Sequence, residues 1–165
     1  IESFVATTPR GLAVVLDAVG DPGNAGTIGR TAEAVGAVGV IFAGDSTDPY
    51  GPKAVRAAAG SAFRVPLVPA GPTADAVGAL RRDGFSCVGT VAASGTDYRH
   101  VDLTGDVALV LGSEAHGLAT DVLAVLDQKV TIPMRGHVES LNVAAAAAVL
   151  GYERMRQLDA AAADK

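Results

Sequence analysis

The sequence predicts one α/β domain, a mostly parallel six-stranded sheet flanked by helices. Three observations carry this. Short β-branched runs alternate with Ala-rich amphipathic stretches, the pattern of βαβ units. The length, 165 residues, falls in the roughly 100–200 residues of a single domain. Hydrophobic residues make up 49% and charged residues 19%, ordinary for a globular protein and too apolar for a disordered one.

The elements follow in order. Residues 12–16 (LAVVL) predict a buried first strand. Asn24 is placed to cap a helix that runs through 33–35 and ends near Gly36. Residues 38–43 (VGVIFA) predict a second strand, 45–52 a turn-rich loop, and 53–59 a short helix. A third strand at 65–68 leads to a helix at 73–82, capped by Thr73 and stopped by Gly84. Residues 86–92 predict the fourth strand and 107–111 (VALVL) the fifth, followed by a helix at 119–126. The sixth strand is 129–132, and a long helix at 140–158 opens on a polar residue. Residues 159–165 are expected to fray. There are no repeats and no interdomain linker.

Composition excludes several classes. Gly 20 and Pro 8 have no fixed period, so the chain is not collagen-like. The single cysteine, Cys87, rules out an internal disulfide and a cysteine-based zinc cage, and fits a reducing compartment. No apolar run reaches the roughly 18 residues of a membrane span, and residues 1–8 lack the basic stretch of a secretory signal. No membrane partner is expected, and the expected site of action is cytoplasmic. The formal net charge of −5 argues against a free-standing nucleic-acid binder, whose footprint is usually a basic patch.

In parallel sheets ligands sit outside the carboxyl ends of the strands, so the loops after strands are the places to look. Three stand out. In the first, 21–30 (DPGNAGTIGR), Gly23, Gly26 and Gly29 permit close backbone approach, and a helix N-terminus offers free N–H groups to an anion. It is neither a P-loop nor a complete dinucleotide fingerprint. The bland reading is a helix cap with a surface arginine; beside a Gly-rich loop, Arg30 can instead clamp a phosphate. The second, 111–118 (LGSEAHGL), packs Ser, Glu and His together, but the G-x-S-x-G elbow is absent and triad members normally come from separate loops. Its glycines let backbone approach a ligand, and His116 is as easily a plain loop residue. His100 and His137 have no metal-ligand spacing, so no metal is assigned. In the third, 132–143, Met134 reads as core filling and Ser140 and Asn142 as helix caps when each is taken alone. The helix that follows, 143–151 (VAAAAAVLG), is apolar nearly all round and needs burial on more than one side or at a subunit interface.

Taken in order, the three loops resemble the three motifs of the SpoU (TrmH-like) family of RNA ribose 2′-O-methyltransferases, of the SPOUT class. Residues 24–32 (NAGTIGRTA) resemble the first motif and 111–118 the second. Residues 132–134 (IPM) with 139–144 (ESLNVA) resemble the third, and 49–56, 59–60 and 63–66 resemble the segment between the first two. The likeness covers about residues 10–155. One departure is Gly29, where the family pattern calls for a bulky aliphatic residue.

The resemblance implies S-adenosylmethionine as methyl donor, with no metal, and a deep trefoil knot formed at the C-terminal end. The knot rests on the resemblance alone, since protein chains are normally unknotted. It places the donor against Thr90 and Ala92, against Leu111, Gly112 and Gly117, and against Ile132, Met134, Ser140 and Leu141. It puts Arg30 at the reacting hydroxyl, with Asn24, Glu114, Ser140 and Asn142 around it. Some mechanisms in the family make this arginine the general base. A guanidinium pKa above about 12 makes that uncomfortable, and we expect Arg30 to fix the target phosphate and stabilise the developing alkoxide. Glu114 is expected to organise its loop or pair with Arg30. The family is homodimeric, so a homodimer is expected.

Three functions are in competition: an RNA 2′-O-methyltransferase, a non-catalytic RNA-binding module of the same fold, and a generic nucleotide-binding domain. The first is preferred, because Arg30, Asn24, Glu114, Ser140 and Asn142 are all present. Its expected substrate is 23S ribosomal RNA, with tRNA as the alternative. The chain begins with Ile and enters abruptly at 7–11, so an N-terminal RNA-binding domain is expected to be missing. Such a domain and a dimer partner would supply the grip that a charge of −5 does not. Arg10, Arg30, Lys53, Arg56, Arg64 and Arg135 are candidates for a basic rim on an acidic body.

Overall fold

Alternation along the strands sets the layers. In β1 (Leu12–Asp17), Leu12, Val14 and Leu16 enter one hydrophobic cluster and Ala13 and Val15 enter the other. Successive side chains of a strand point to opposite faces, so a strand buried at every position must be covered on both. The computed structural model describes residues 1–7, 9–113 and 115–163.

The remaining elements are α1 (Glu2–Thr7), α2 (Pro22–Ala34), β2 (Gly39–Ala43), α3 (Pro52–Ala57), β3 (Leu67–Pro69), α4 (Thr73–Arg82), β4 (Ser86–Thr90), β5 (Thr96–Asp97), β6 (Val107–Gly112), α5 (Thr120–Val125), β7 (Gln128–Thr131) and α6 (Val143–Ala163). The strands form one sheet in the order β3-β2-β1-β6-β4-β7-β5, and every neighbouring pair is parallel. Helices α2 and α6 cover one face through Ala25, Ile28, Ala32, Ala144, Ala147 and Leu150. Phe4 of α1, Ala76, Val77 and Leu80 of α4, and Val122 of α5 cover the other. No helix among the described residues is long and apolar enough to cross a membrane.

Several expectations are corrected. The sheet has seven strands, not six. The seventh, β5, pairs only Thr96 with Val130 and Asp97 with Thr131, too short to leave a period-2 pattern. Helix α1 was not expected; Phe4 anchors it, packing where a Cβ on Gly39 would come within 2.5 Å of its ring. Helix α2 is capped by Asp21, whose carboxylate accepts from the Asn24 N–H at 2.7 Å. Asn24 therefore lies inside the first turn. At α4 the Thr73 side chain makes no cap; the cap position is Pro72. Helix α6 starts at Val143, not 140, and stays helical to Ala163, through residues expected to fray.

One hydrogen-bonded clamp ties α6 to the segment entering β6. Buried Arg154 donates to the carbonyls of Leu103 and Gly105. The Gln157 amide accepts from the Leu103 N–H at 2.8 Å and donates to the Val101 carbonyl at 2.9 Å. Burial lowers the Arg154 pKa, offset by Asp106 and Asp102.

Candidate functional site

Strands β6, β4 and β7 are adjacent, and the loops leaving their carboxyl ends enclose a cleft of about 430 Å³. Thr90 and Ala92 form the wall after β4, Gly112 and Gly117 the wall after β6, and Ile132 and Met134 the wall after β7. Ser140 and Leu141 close it at the approach to α6. Of the positions expected to hold the methyl donor, only Leu111 does not line the cleft. Its side chain is fully buried in the core. The volume lies within the roughly 300–1,000 Å³ of small-molecule sites.

Each wall is held by hydrogen bonds, the one after β4 by a side chain far away in sequence. Thr131 Oγ1 accepts from the Gly95 N–H at 2.9 Å and donates to the Val91 carbonyl at 3.1 Å, folding the segment after β4. Asn142 Oδ1 accepts from the N–H groups of Ala144 (2.9 Å) and Ala145 (3.3 Å), so Asn142 caps α6. The loop after β6 is pinned at its neck, where the Gly117 N–H donates to the Ser113 carbonyl at 2.8 Å. The loop leaves no room for a side chain at Gly112. A Cβ there would lie 2.3 Å from the Gly117 carbonyl carbon. That glycine admits the chain's own returning backbone, where the sequence suggested a ligand. Gly117 has φ +66, a conformation glycine adopts without strain.

Gly26 of the first loop also serves packing. A Cβ at Gly26 would come 2.4 Å from the Ala57 Cβ and 2.6 Å from the Ala54 carbonyl oxygen, so Gly26 lets α2 and α3 touch. The N-terminus of α2 carries an anionic cap, Asp21, which takes up the Asn24 N–H.

The expected catalytic residues divide. The Asn142 side-chain amide donates to Asn24 Oδ1 at 3.0 Å, joining the first and third motifs across 118 positions. Asn142 directly follows Leu141, a cleft residue. Ser140 also lines the cleft. Glu114 lies outside the described residues. Arg30 is exposed and does not line the cleft; six residues beyond Asn24 on a helix is ~9 Å along the axis and on another face. Among the described residues it has no hydrogen-bond or ion-pair partner.

Other expected rim cations are engaged. Arg64 pairs with Glu33, and its hydrogen bond holds the Glu33 carboxyl below the usual range. Arg10 pairs with Asp83 at 3.3 Å and Asp106 at 3.9 Å. Lys53, Arg56 and Arg135 are exposed.

Sequence reasoning missed His116 as a cleft residue, missed Glu139 as its described carboxylate, and missed the buried Asp17 and half-buried Thr131 behind the walls. One signal was available for Asp17: it is a carboxylate ending a strand that is otherwise wholly apolar.

A domain with a parallel sheet covered on both faces, and a small-residue cleft at its carboxyl edge, belongs to the α/β ligand-binding class. The particular family comes from comparison. The description "SpoU rRNA Methylase family" matches residues 11–152, and the chain belongs to that family. It is 37% identical over 151 residues to the 23S rRNA (guanosine(2553)-2′-O)-methyltransferase RlmP of Bacillus subtilis, covering 92% of this chain and 60% of that protein. The chain thus spans about 60% of the length of this curated relative. A solved AdoMet-bound rRNA methyltransferase from Sinorhizobium meliloti superposes with TM-score 0.85 at 38% identity, covering 91% of this chain and 58% of that one. A structure described as concerning the 2-OH methylation of C/U34 on tRNA superposes with TM-score 0.83 at 32% identity, covering 92% of this chain and 99% of that one.

Proposed function

We propose that this chain is the catalytic domain of an S-adenosylmethionine-dependent methyltransferase acting on a ribose 2′-hydroxyl, with 23S ribosomal RNA as substrate and the cytoplasm as its place of action. The observation that carries the reading is the convergence of the second- and third-motif loops and the segment after β4 on one cleft at the carboxyl ends of β4, β6 and β7, with the first motif tied to the third through Asn24 and Asn142. Its lining suits the donor. Thr90, Gly112 and Gly117 expose main-chain groups for an adenine or ribose, and Ile132, Met134 and Leu141 supply apolar surface. Two of the relatives named above are described as rRNA methyltransferases, one of them bound to AdoMet.

When bound, S-adenosylmethionine supplies a methyl group on a sulfonium, a leaving group already activated without a metal. The protein's work is then alignment and handling of the hydroxyl proton. Arg30, without a hydrogen-bond or ion-pair partner among the described residues, grips the target phosphate and stabilises the forming alkoxide. Asn24 and Asn142 brace the first motif against the third. Ser140 lies at the cleft edge beside the incoming ribose, and Glu114 organises the second loop.

The protein acts as a homodimer with a trefoil-knotted C-terminal end. The knot is supported by the position of β7 between β4 and β5, which are joined only by residues 91–95. The dimer is supported by a stripe on α6, where Ala145 and Tyr152 are exposed and Val149 half-exposed. These positions share one helix face. A partner also gives Arg30 a second cleft to address, since it does not line its own.

A second reading, tRNA as substrate, is favoured by one observation. The tRNA-methylation structure is matched over 99% of its own length.

The test is labelled methyl transfer to ribosomal RNA and tRNA, with 2′-O-methyl mapping of the product. Arg30→Ala is expected to lose roughly 10²–10³-fold in rate with donor affinity unchanged. Wild-type rates in that variant would remove Arg30 from the mechanism. Label confined to tRNA would select the second reading.

A further inference from the structure

Asp17 is only 5% exposed, and a carboxylate is costly to bury unless its oxygens are hydrogen-bonded. Here the two oxygens have different partners. Oδ1 accepts from the Thr73 hydroxyl at 2.6 Å, at the first residue of α4. Oδ2 accepts from the Ala119 N–H at 3.0 Å, 102 positions along the chain. Ala119 is where the loop after β6 ends and α5 begins.

The loop also starts beside Asp17, which pairs in register with Gly112, the last residue of β6. The chain leaves the sheet opposite Asp17 and returns to its carboxylate. Between those points lie Ser113, Ala115, His116, Gly117 and Leu118, all of which line the cleft. The neck contact between Gly117 and Ser113 closes the loop on itself but does not fix it to the rest of the molecule. Asp17 does. It joins the loop's exit to the strand at its entrance and, through Thr73, to α4.

We infer that Asp17 is a positioning residue for the methyl-donor site, holding the second-motif loop in its binding geometry through the Ala119 N–H. It touches no cleft ligand itself. Its effect is preorganisation: a loop already placed loses less freedom when the donor binds. This rests on the proposed function, because it takes the cleft as the donor site.

The experiment compares three variants of the chain by calorimetry with S-adenosylmethionine, and by amide hydrogen exchange without it. Asp17→Ala removes both acceptors. Donor affinity is expected to fall at least about tenfold, equivalent to about 1.4 kcal/mol, and the Gly117 and Ala119 amides to exchange faster while β2 amides do not. Asp17→Asn keeps an oxygen for the Ala119 N–H, with its amide facing the Thr73 hydroxyl, and is expected to restore affinity to within about threefold. Ala119→Pro deletes the donor at a residue whose φ of −63 already suits proline. It leaves Asp17 in place and keeps the test sound if Asp17→Ala does not fold. Its affinity is expected to fall as in Asp17→Ala.

Folded Asp17→Ala or Ala119→Pro protein that binds the donor as wild type does would overturn the inference. So would loop amides that exchange no faster in either variant. Wild-type protein that binds no donor would instead overturn the proposed function, and the exchange measurement would still decide whether Asp17 holds the loop.

Discussion

Cys87 is fully buried in β4 with its thiol over the carbonyls of Val77 and Phe85. Burial, and then the Asp127 carboxylate, push its pKa from the ordinary 9.0 up to about 12, with Arg81 opposing. The folded state therefore prefers the neutral thiol. The associated stability is fully present below 9.0 and is lost as pH rises from 9.0 towards 12. Melting temperature is expected to decline over that window, and less steeply in Cys87→Ala. At about pH 8 the native chain should resist alkylation that the unfolded chain undergoes readily. Rapid native labelling would show that the thiol is not held in this environment. At the same scale, the residues that build the cleft divide by how local their signal is. Gly112, Gly117, Met134 and Ser140 were legible because each lies inside a short string with an unusual composition. Asp17 and Thr131 were not. Their partners are distant in sequence, at Ala119 and at Val91 and Gly95, and no string of neighbours records such a pairing.

Helix α2 holds three glycines, two of them, Gly26 and Gly29, with opposite physics. Gly26 faces α3 at a distance no Cβ tolerates, whereas a Cβ at Gly29 meets no atom within 4 Å. Gly29→Ala is therefore expected to stabilise the chain by about 0.5–1 kcal/mol through helix propensity. Gly26→Ala is expected to cost about 1–3 kcal/mol by forcing α2 from α3. Denaturant titration of both variants checks the pair, and equal effects would contradict the packing. The Cβ of the bulky aliphatic residue that the family pattern carries at this position would likewise meet no atom within 4 Å. Elements with a clear period were legible: the strands at β1, β2, β4 and β6 and the helix at α4 all lie within a few residues of expectation. The misplaced features have identifiable causes. β5 and α1 are too short for a period, and Asp21 took the cap assigned to Asn24 because it precedes Pro22, a residue suited to a first helical turn.

At the scale of the whole molecule, the exposed stripe on α6 and the isolated position of Arg30 belong to one argument. A single chain leaves Tyr152 55% exposed and Arg30, the arginine proposed for catalysis, away from its own cleft. The proposed dimer would account for both. The chain is expected to scatter light as about 33 kDa, twice its 16.5 kDa. Tyr152→Glu, which places charge on the stripe, is expected to yield the monomer and to lower methyl transfer with it. A wild-type monomer at micromolar concentration would remove the dimer from the account.

The central claim is that the cleft at the carboxyl ends of β4, β6 and β7 is a methyl-donor site. Calorimetric titration with S-adenosylmethionine, ATP and NAD in parallel tests it most directly. The account predicts saturable binding of S-adenosylmethionine alone, abolished by Met134→Arg within the cleft. Absence of heat with S-adenosylmethionine, or equal binding of ATP or NAD, would contradict it.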